Sequence, residues 1–169
     1  MLTINDYVKS DFAKRRSSVD AKFGKDKDVE IDKLSKDLFE YIKFNPSWIE
    51  QNADETMIDF AEILGKFLSP TRRDDKSALS NSQIRNVYGE IKRIQMGIDK
   101  GGWEAVKPSF LILRPKVAYA AGRNRNLGIV VFKVFFDIAA TKVNSKKEFL
   151  NFCNLVESVL AYHKAFGGN

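Results

Sequence analysis

Apolar side chains along this chain recur every three to four residues, and nowhere do they alternate with polar ones between hairpin signals. That pattern predicts an all-α fold. Residues 1–30 are polar, with the basic triplet Lys14-Arg15-Arg16 and the mixed run Lys25-Asp26-Lys27-Asp28, so a loosely ordered start is expected. The triplet reads as a solvated tail, and Phe12, Val19 and Phe23 as isolated apolar side chains that can pack on a partner. Leu34, Leu38, Phe39, Tyr41 and Ile42 predict a short amphipathic helix ended by Asn45-Pro46, with Trp48 and Ile49 as a loop anchor. Asp54 or Thr56 starts the next helix, whose Met57, Ile58, Phe60, Ala61, Leu64, Phe67 and Leu68 fall at buried spacing until Ser69-Pro70 closes it.

Thr71 to Ser77 reads as a charged linker, and Ser80 with Gln83 has the spacing of a capping box. The helix that follows carries Ile84, Val87, Tyr88, Ile91, Ile94 and Ile98 on one stripe, which assigns Tyr88 to the core. Gly101-Gly102 breaks the chain. A further helix runs through Trp103, Val106, Phe110, Leu113, Val117 and Ala121, with Pro108 tolerated in its first turns and a kink or new start expected at Pro115. Residues 126–143 are the most apolar, and length without a sheet partner makes them a central buried helix rather than a strand. Asn144-Ser145 opens the last helix, striped by Phe149, Phe152, Cys153, Val156, Val159, Leu160 and His163 and ended by Gly167-Gly168. Short connections imply antiparallel neighbours. The expectation is a compact antiparallel bundle of about five to six helices, with residues 78–169 as its helical core. Residues 1–77 form an N-terminal extension with an acidic helical module.

Composition changes this picture little, but charge placement does. Residues 1–70 hold 11 Lys and Arg against 14 Asp and Glu, residues 71–125 hold 12 against 5, and residues 126–169 hold 5 against 3. The excess of the middle third points to a polyanionic partner. Its densest stretch is Arg114 to Arg125, where Arg114, Lys116, Arg123 and Arg125 flank the small side chains Ala118, Ala120, Ala121 and Gly122 with no acidic residue between them. Small residues permit close backbone approach, and unpaired cations suit phosphates. A single cysteine excludes an internal disulfide. No apolar run approaches the roughly 18 residues that span a bilayer, and the first residues lack the features of a signal peptide, so a cytoplasmic location is expected.

Catalytic chemistry is poorly represented. His163 and Cys153 lie ten residues apart on one predicted helix, about 15 Å of rise, too far to share a proton. His163 reads as a helix-face residue favoured by the C-terminal dipole, and Cys153 as a core thiol. Asp74-Asp75 beside Arg72-Arg73 reads as mutual neutralisation of exposed charges, with a metal-dependent nuclease as the rival reading. No nucleotide, zinc or redox motif is present, and neither a metal nor another cofactor is expected. Binding remains: a stripe of cations across two adjacent helices follows a phosphate backbone without reading bases, and Tyr119 is the candidate for base stacking.

Three motifs then carry a resemblance. They are Ser80-Asn-Ser-Gln-Ile-Arg-Asn-Val-Tyr (80–88), Pro115-Lys-Val-Ala-Tyr-Ala-Ala-Gly-Arg (115–123) and Ala161-Tyr-His-Lys-Ala-Phe-Gly-Gly (161–168). In this order and spacing the chain resembles, over residues 78–168, the small subunit of the type III-A CRISPR effector, the Csm complex. The resemblance implies a helical, non-catalytic antiviral-defence protein that stacks with further copies of itself beside other Csm subunits. It implies a basic face that contacts crRNA and target RNA. The site residues are then Arg85, Lys116 and Arg123 by motif, Lys92 and Arg93 by helical position, and Arg114 and Arg125 by charge, with Ala118, Ala120 and Ala121 in helix packing. A helical adaptor that binds only proteins is the alternative.

Overall fold

The computed structural model describes residues 2–22 and 24–167 and contains, among them, eight helices and no strand. They are α1 (Ile4–Lys9), α2 (Phe12–Asp20), α3 (Gly24–Ile42), α4 (Ser47–Glu50), α5 (Glu55–Leu68), α6 (Asn81–Arg123), α7 (Leu127–Ala140) and α8 (Lys146–Ala165). The all-α expectation holds, with eight helices among the described residues where about five to six are expected. Phe23 and Gly168 lie outside the described residues.

Helix starts follow side-chain caps. Asp54, Ser80, Asn126 and Ser145 each accept a hydrogen bond from the amide three residues on, and Ser80 with Gln83 completes the capping box. Gly167, at φ 105°, takes the left-handed conformation just past α8. α7 is the most apolar helix because most of it lies inside: Phe132, Phe135 and Phe136 are all within 1% of complete burial, and only the face of Lys133, Val134, Asp137 and Ile138 is partly exposed.

The helices formed by the described residues before position 31 correct the expectation of a loose start. α1 and α2 are folded onto the bundle, with Tyr7, Phe12 and Val19 buried. The basic triplet is no solvated tail either, because Arg16 is buried and Arg15 pairs with Asp37 of α3. The hydrophobic core runs without interruption from Tyr7 to Val159, across residue 77.

Of the two breaks expected between Ser80 and Arg123, the one at Gly101-Gly102 is present and the one at Pro115 is not. Backbone dihedrals inside α6 leave the helical range only at Gly102 (φ 77°, ψ 178°), so Gly102 is the bend and Pro115 is not. Pro115 and Leu111, four residues before it, both lie on the exposed side of α6, the side on which a missing helical hydrogen bond costs least. α6 therefore folds back on itself as two antiparallel limbs.

The most extensive packing joins elements distant in sequence: α4–α5 runs along α8 in the same direction, with Ile58, expected at buried spacing, on the exposed side of α5. The Ile49 and Gln51 carbonyls accept from Asn151 Nδ2, while Gly65 sits against Val159 to His163. A Cβ on Gly65 would lie 2.6 Å from Tyr162 Cβ and 2.8 Å from the His163 nitrogen. The absent side chain lets these two helices touch.

The charged linker is only half a linker. Ser77, Ala78 and Leu79 are buried; the Leu79 amide donates to Leu68 O at 3.0 Å and the Gly128 amide to Ser77 O at 2.8 Å. A Cβ on Gly128 would come within 2.2 Å of the Leu79 nitrogen, a backbone atom. Gly128→Ala is expected to destabilise by about 1–3 kcal/mol through overpacking, despite the better helix propensity of alanine. Urea unfolding checks this, and an unchanged midpoint would contradict it.

Candidate nucleic-acid interface

The two limbs of α6 form the frame of the site. Glu90 on the first faces Lys116 on the second, and Gly97 faces Val106, as an antiparallel turn about Gly102 requires. The apolar stripes of both limbs, Val87, Ile91 and Ile94 on one and Phe110, Leu113 and Val117 on the other, turn inward. The basic residues between those stripes are left on the outside, so the side-by-side packing that a cation stripe needs is present.

Five of the seven cations are nevertheless neutralised, Arg93 by Glu90 one turn before it and the other four by carboxylates distant in sequence. Lys92 pairs with Glu157 of α8 and lies 5.3 Å from the Tyr88 ring centroid. Tyr88 is half-buried between lysine and solvent, which corrects its assignment to the core. Arg93 Nη2 donates to Glu90 at 2.7 Å and Lys116 Nζ to the same oxygen at 3.1 Å. These hydrogen bonds, Arg93 first, hold the Glu90 carboxyl below its ordinary range, and the bond to Glu157 raises Lys92. Arg114 approaches Asp137 of α7 at 3.4 Å, where Lys133 already donates at 2.7 Å. Arg125 forks onto Asp28 and Asp32 of α3, both at 2.8 Å, joining the end of α6 to the acidic first third.

Arg85 and Arg123 are the two that make no ion pair among the described residues, and both are exposed. Arg123 lines a groove of about 350 Å³ between the limbs, together with Ser82, Asn86, Lys116 and Tyr119. Tyr119 is 69% exposed, so it is free of any packing duty. Arg85 lines a second groove, of about 610 Å³, against Leu160 and Lys164 of α8. Of the small side chains, Ala121 is buried and Ala118 and Ala120 are half-buried. Gly122 corrects the idea of close approach there, since an added Cβ would meet nothing within 4 Å. Ser82 and Asn86, polar groups that also line the Arg123 groove, were not legible as site residues because isolated Ser and Asn on a helix carry no pattern.

The remaining chemistry-bearing groups are structural. Burial pushes the Cys153 thiol up to about 12 and lowers His163. His163 Nε2 lies 3.0 Å from Leu79 O, and since a carbonyl only accepts, Nε2 carries the proton of a neutral ring. His163 is therefore a buried clamp on the linker rather than a charge for the helix dipole. Asp75 is not neutralised by Arg72 or Arg73. It turns inward, where Arg16 Nη2 donates to it at 2.8 Å and Ser77 and Thr71 supply four further bonds. Those five donors leave this carboxylate saturated, and among the described residues no three His, Cys, Asp or Glu side chains converge.

No helix of the described residues is long and apolar enough to cross a membrane. Comparison with curated proteins gives no match, and neither does comparison with solved structures. Comparison with protein-family models matches residues 50–169 to Csm2 Type III-A, more than two thirds of the chain. The match takes in α5 and the linker as well as all three sequence motifs. The chain belongs to the Csm2 Type III-A family, the small subunit of the type III-A CRISPR complex.

Proposed function

We propose that this small subunit holds RNA, both crRNA and target, against the outer face of the α6 hairpin. It does so without catalysis, beside the other Csm subunits and further copies of itself, in antiviral defence in the cytoplasm. The observation that carries this reading is the pair Arg85 and Arg123, exposed and without carboxylate partners, with exposed Tyr119 and polar Ser82 and Asn86 in the same hairpin. Unpaired guanidiniums grip phosphates, and an exposed ring stacks on any base. Lys92, Arg93, Arg114, Lys116 and Arg125 supply a positive field but exchange a carboxylate for a phosphate when they bind. Contact with neighbouring subunits is supported by Leu111 and Ile112 on the second limb of α6, each more than half exposed.

Titration of single-stranded RNA across a salt series tests it. Arg85→Ala with Arg123→Ala is expected to reduce the slope of log affinity against log salt by about 1.4–2, roughly 0.7–1 per lost phosphate contact. Lys116→Ala, whose charge Glu90 already offsets, is expected to change it less. Equal binding and slope in the double variant would refute the assignment. Loss of RNA binding in neither variant, together with retained capture of Csm subunits, would favour the protein-only adaptor.

A further inference from the structure

The linker between α5 and α6 hides a positive charge that residue counting misses. Along the chain, Arg72, Arg73 and Lys76 are nearly offset by Asp74 and Asp75. In the fold Asp75 is spent on Arg16, Thr71 and Ser77 with its side chain 1% exposed. Arg72, Arg73 and Lys76 are exposed and make no ion pair among the described residues. All three line a cavity of about 620 Å³, whose wall includes Ser80, Asn81 and Asn126 but not Asp74. Its wall therefore offers three cations, the Ser80 hydroxyl and the Asn81 amide; the Asn126 amide is spent on the Lys76 and Ala78 carbonyls, and the single carboxylate is already saturated by five donors.

We propose that this cavity is an anion site that takes phosphate groups. Phosphate fits because it accepts on several sides at once and because each of the three cations would otherwise hold its charge in water. Asn81 lines both this cavity and the groove of Arg85, so the two basic regions are contiguous. On the RNA reading above, on which this source of phosphate rests, the same strand continues from the α6 face into the linker. A free polyphosphate is the other source of the same chemistry.

The test uses the full chain and the variant Arg72→Ala, Arg73→Ala, Lys76→Ala, whose three side chains are exposed and whose fold is checked by thermal unfolding. Two probes are used: a labelled single-stranded oligoribonucleotide over a salt series, and inorganic triphosphate followed by its effect on Tm. If an RNA strand occupies the site, the triple variant lowers the salt slope by about 2, at roughly 0.7 per phosphate, beyond the loss given by Arg85→Ala with Arg123→Ala. If a free polyphosphate occupies it, triphosphate raises the Tm of the wild type and not of the triple variant, with RNA slopes equal. Slopes and triphosphate responses identical in wild type and triple variant overturn the site, while a slope loss in the Arg85 and Arg123 double variant still stands for the α6 reading. A wild type indifferent to RNA refutes the α6 reading alone, and the triphosphate arm then decides the cavity.

Discussion

Arg16→Met is expected to lower stability by about 3–5 kcal/mol, the cost of leaving a buried carboxylate without its charge partner. Arg16 is 3% exposed and reaches from α2 to the far side of the linker. Its Nη1 donates to the Phe67 and Ser69 carbonyls at the end of α5, its Nη2 to Asp75 at 2.8 Å, and its Nε to Ser77 Oγ at 3.4 Å. One side chain thus caps α5, pairs the linker and fixes the N-terminal helices to the bundle. A methionine fills part of the volume and satisfies none of these acceptors. Asp75→Asn on the Arg16→Met background removes the orphaned charge and is expected to recover part of the loss, measured by urea unfolding. A cost under about 1 kcal/mol would mean that the pair behaves as an exposed one.

The same pair sets an acid limit. Burial works against the Asp75 charge, but hydrogen bonds from Ser77 and Thr71 and the charge of Arg16 outweigh it and hold the carboxyl at about 2. Its folded value lies below its unfolded one, so its contribution is fully present above about pH 4 and is lost as pH falls toward 2. Stability of the wild type should therefore decline across that window, and Arg16→Met should flatten the decline.

Phe152→Ala carries the second large effect, about 3–5 kcal/mol. The Phe152 ring is fully buried, with ring centroids of Phe136 on α7, Phe110 on α6 and Phe149 on α8 at 5.3, 5.5 and 6.3 Å. Three helices meet on this one side chain, and tightly packed aromatics on all sides leave little room for collapse into the cavity. Phe152→Leu is expected to cost clearly less. Since Phe110 sits in the second limb of α6, Phe152→Ala should also loosen the hairpin, read as faster amide exchange between Val106 and Val117. A loss confined to α8 would contradict a shared core.

What the sequence could disclose follows from how local each signal is. The caps at Asp54, Ser80 and Ser145 and the stripe of α6 depend on residues three or four apart, and they were readable. The central helix α7 was readable from apolar length alone. The order of α1 and α2 was not, because it rests on a guanidinium whose carboxylate lies 59 residues on. The tolerance of Pro115 is not legible in the sequence, because it depends on which side of α6 faces water, a property of the fold. The basic motif from Arg114 to Arg125 was visible as a cluster. Its neutralisation was not, since Asp28 and Asp32 meet Arg125 across more than 90 residues. Charge counting points to residues 71–125, and the fold shows which of the seven candidate cations there, Arg85 and Arg123, have no carboxylate partner among the described residues.

The central claim is that RNA lies on the outer face of the α6 hairpin. Ultraviolet cross-linking of 4-thiouridine-substituted RNA in the assembled complex, followed by peptide mass spectrometry of this subunit, tests it most directly. The account predicts adducts on Tyr119 and in the peptide between Lys116 and Arg123, lost when Arg85 and Arg123 are both alanine. Adducts confined to α3 or α7, unaffected by that double substitution, would contradict it.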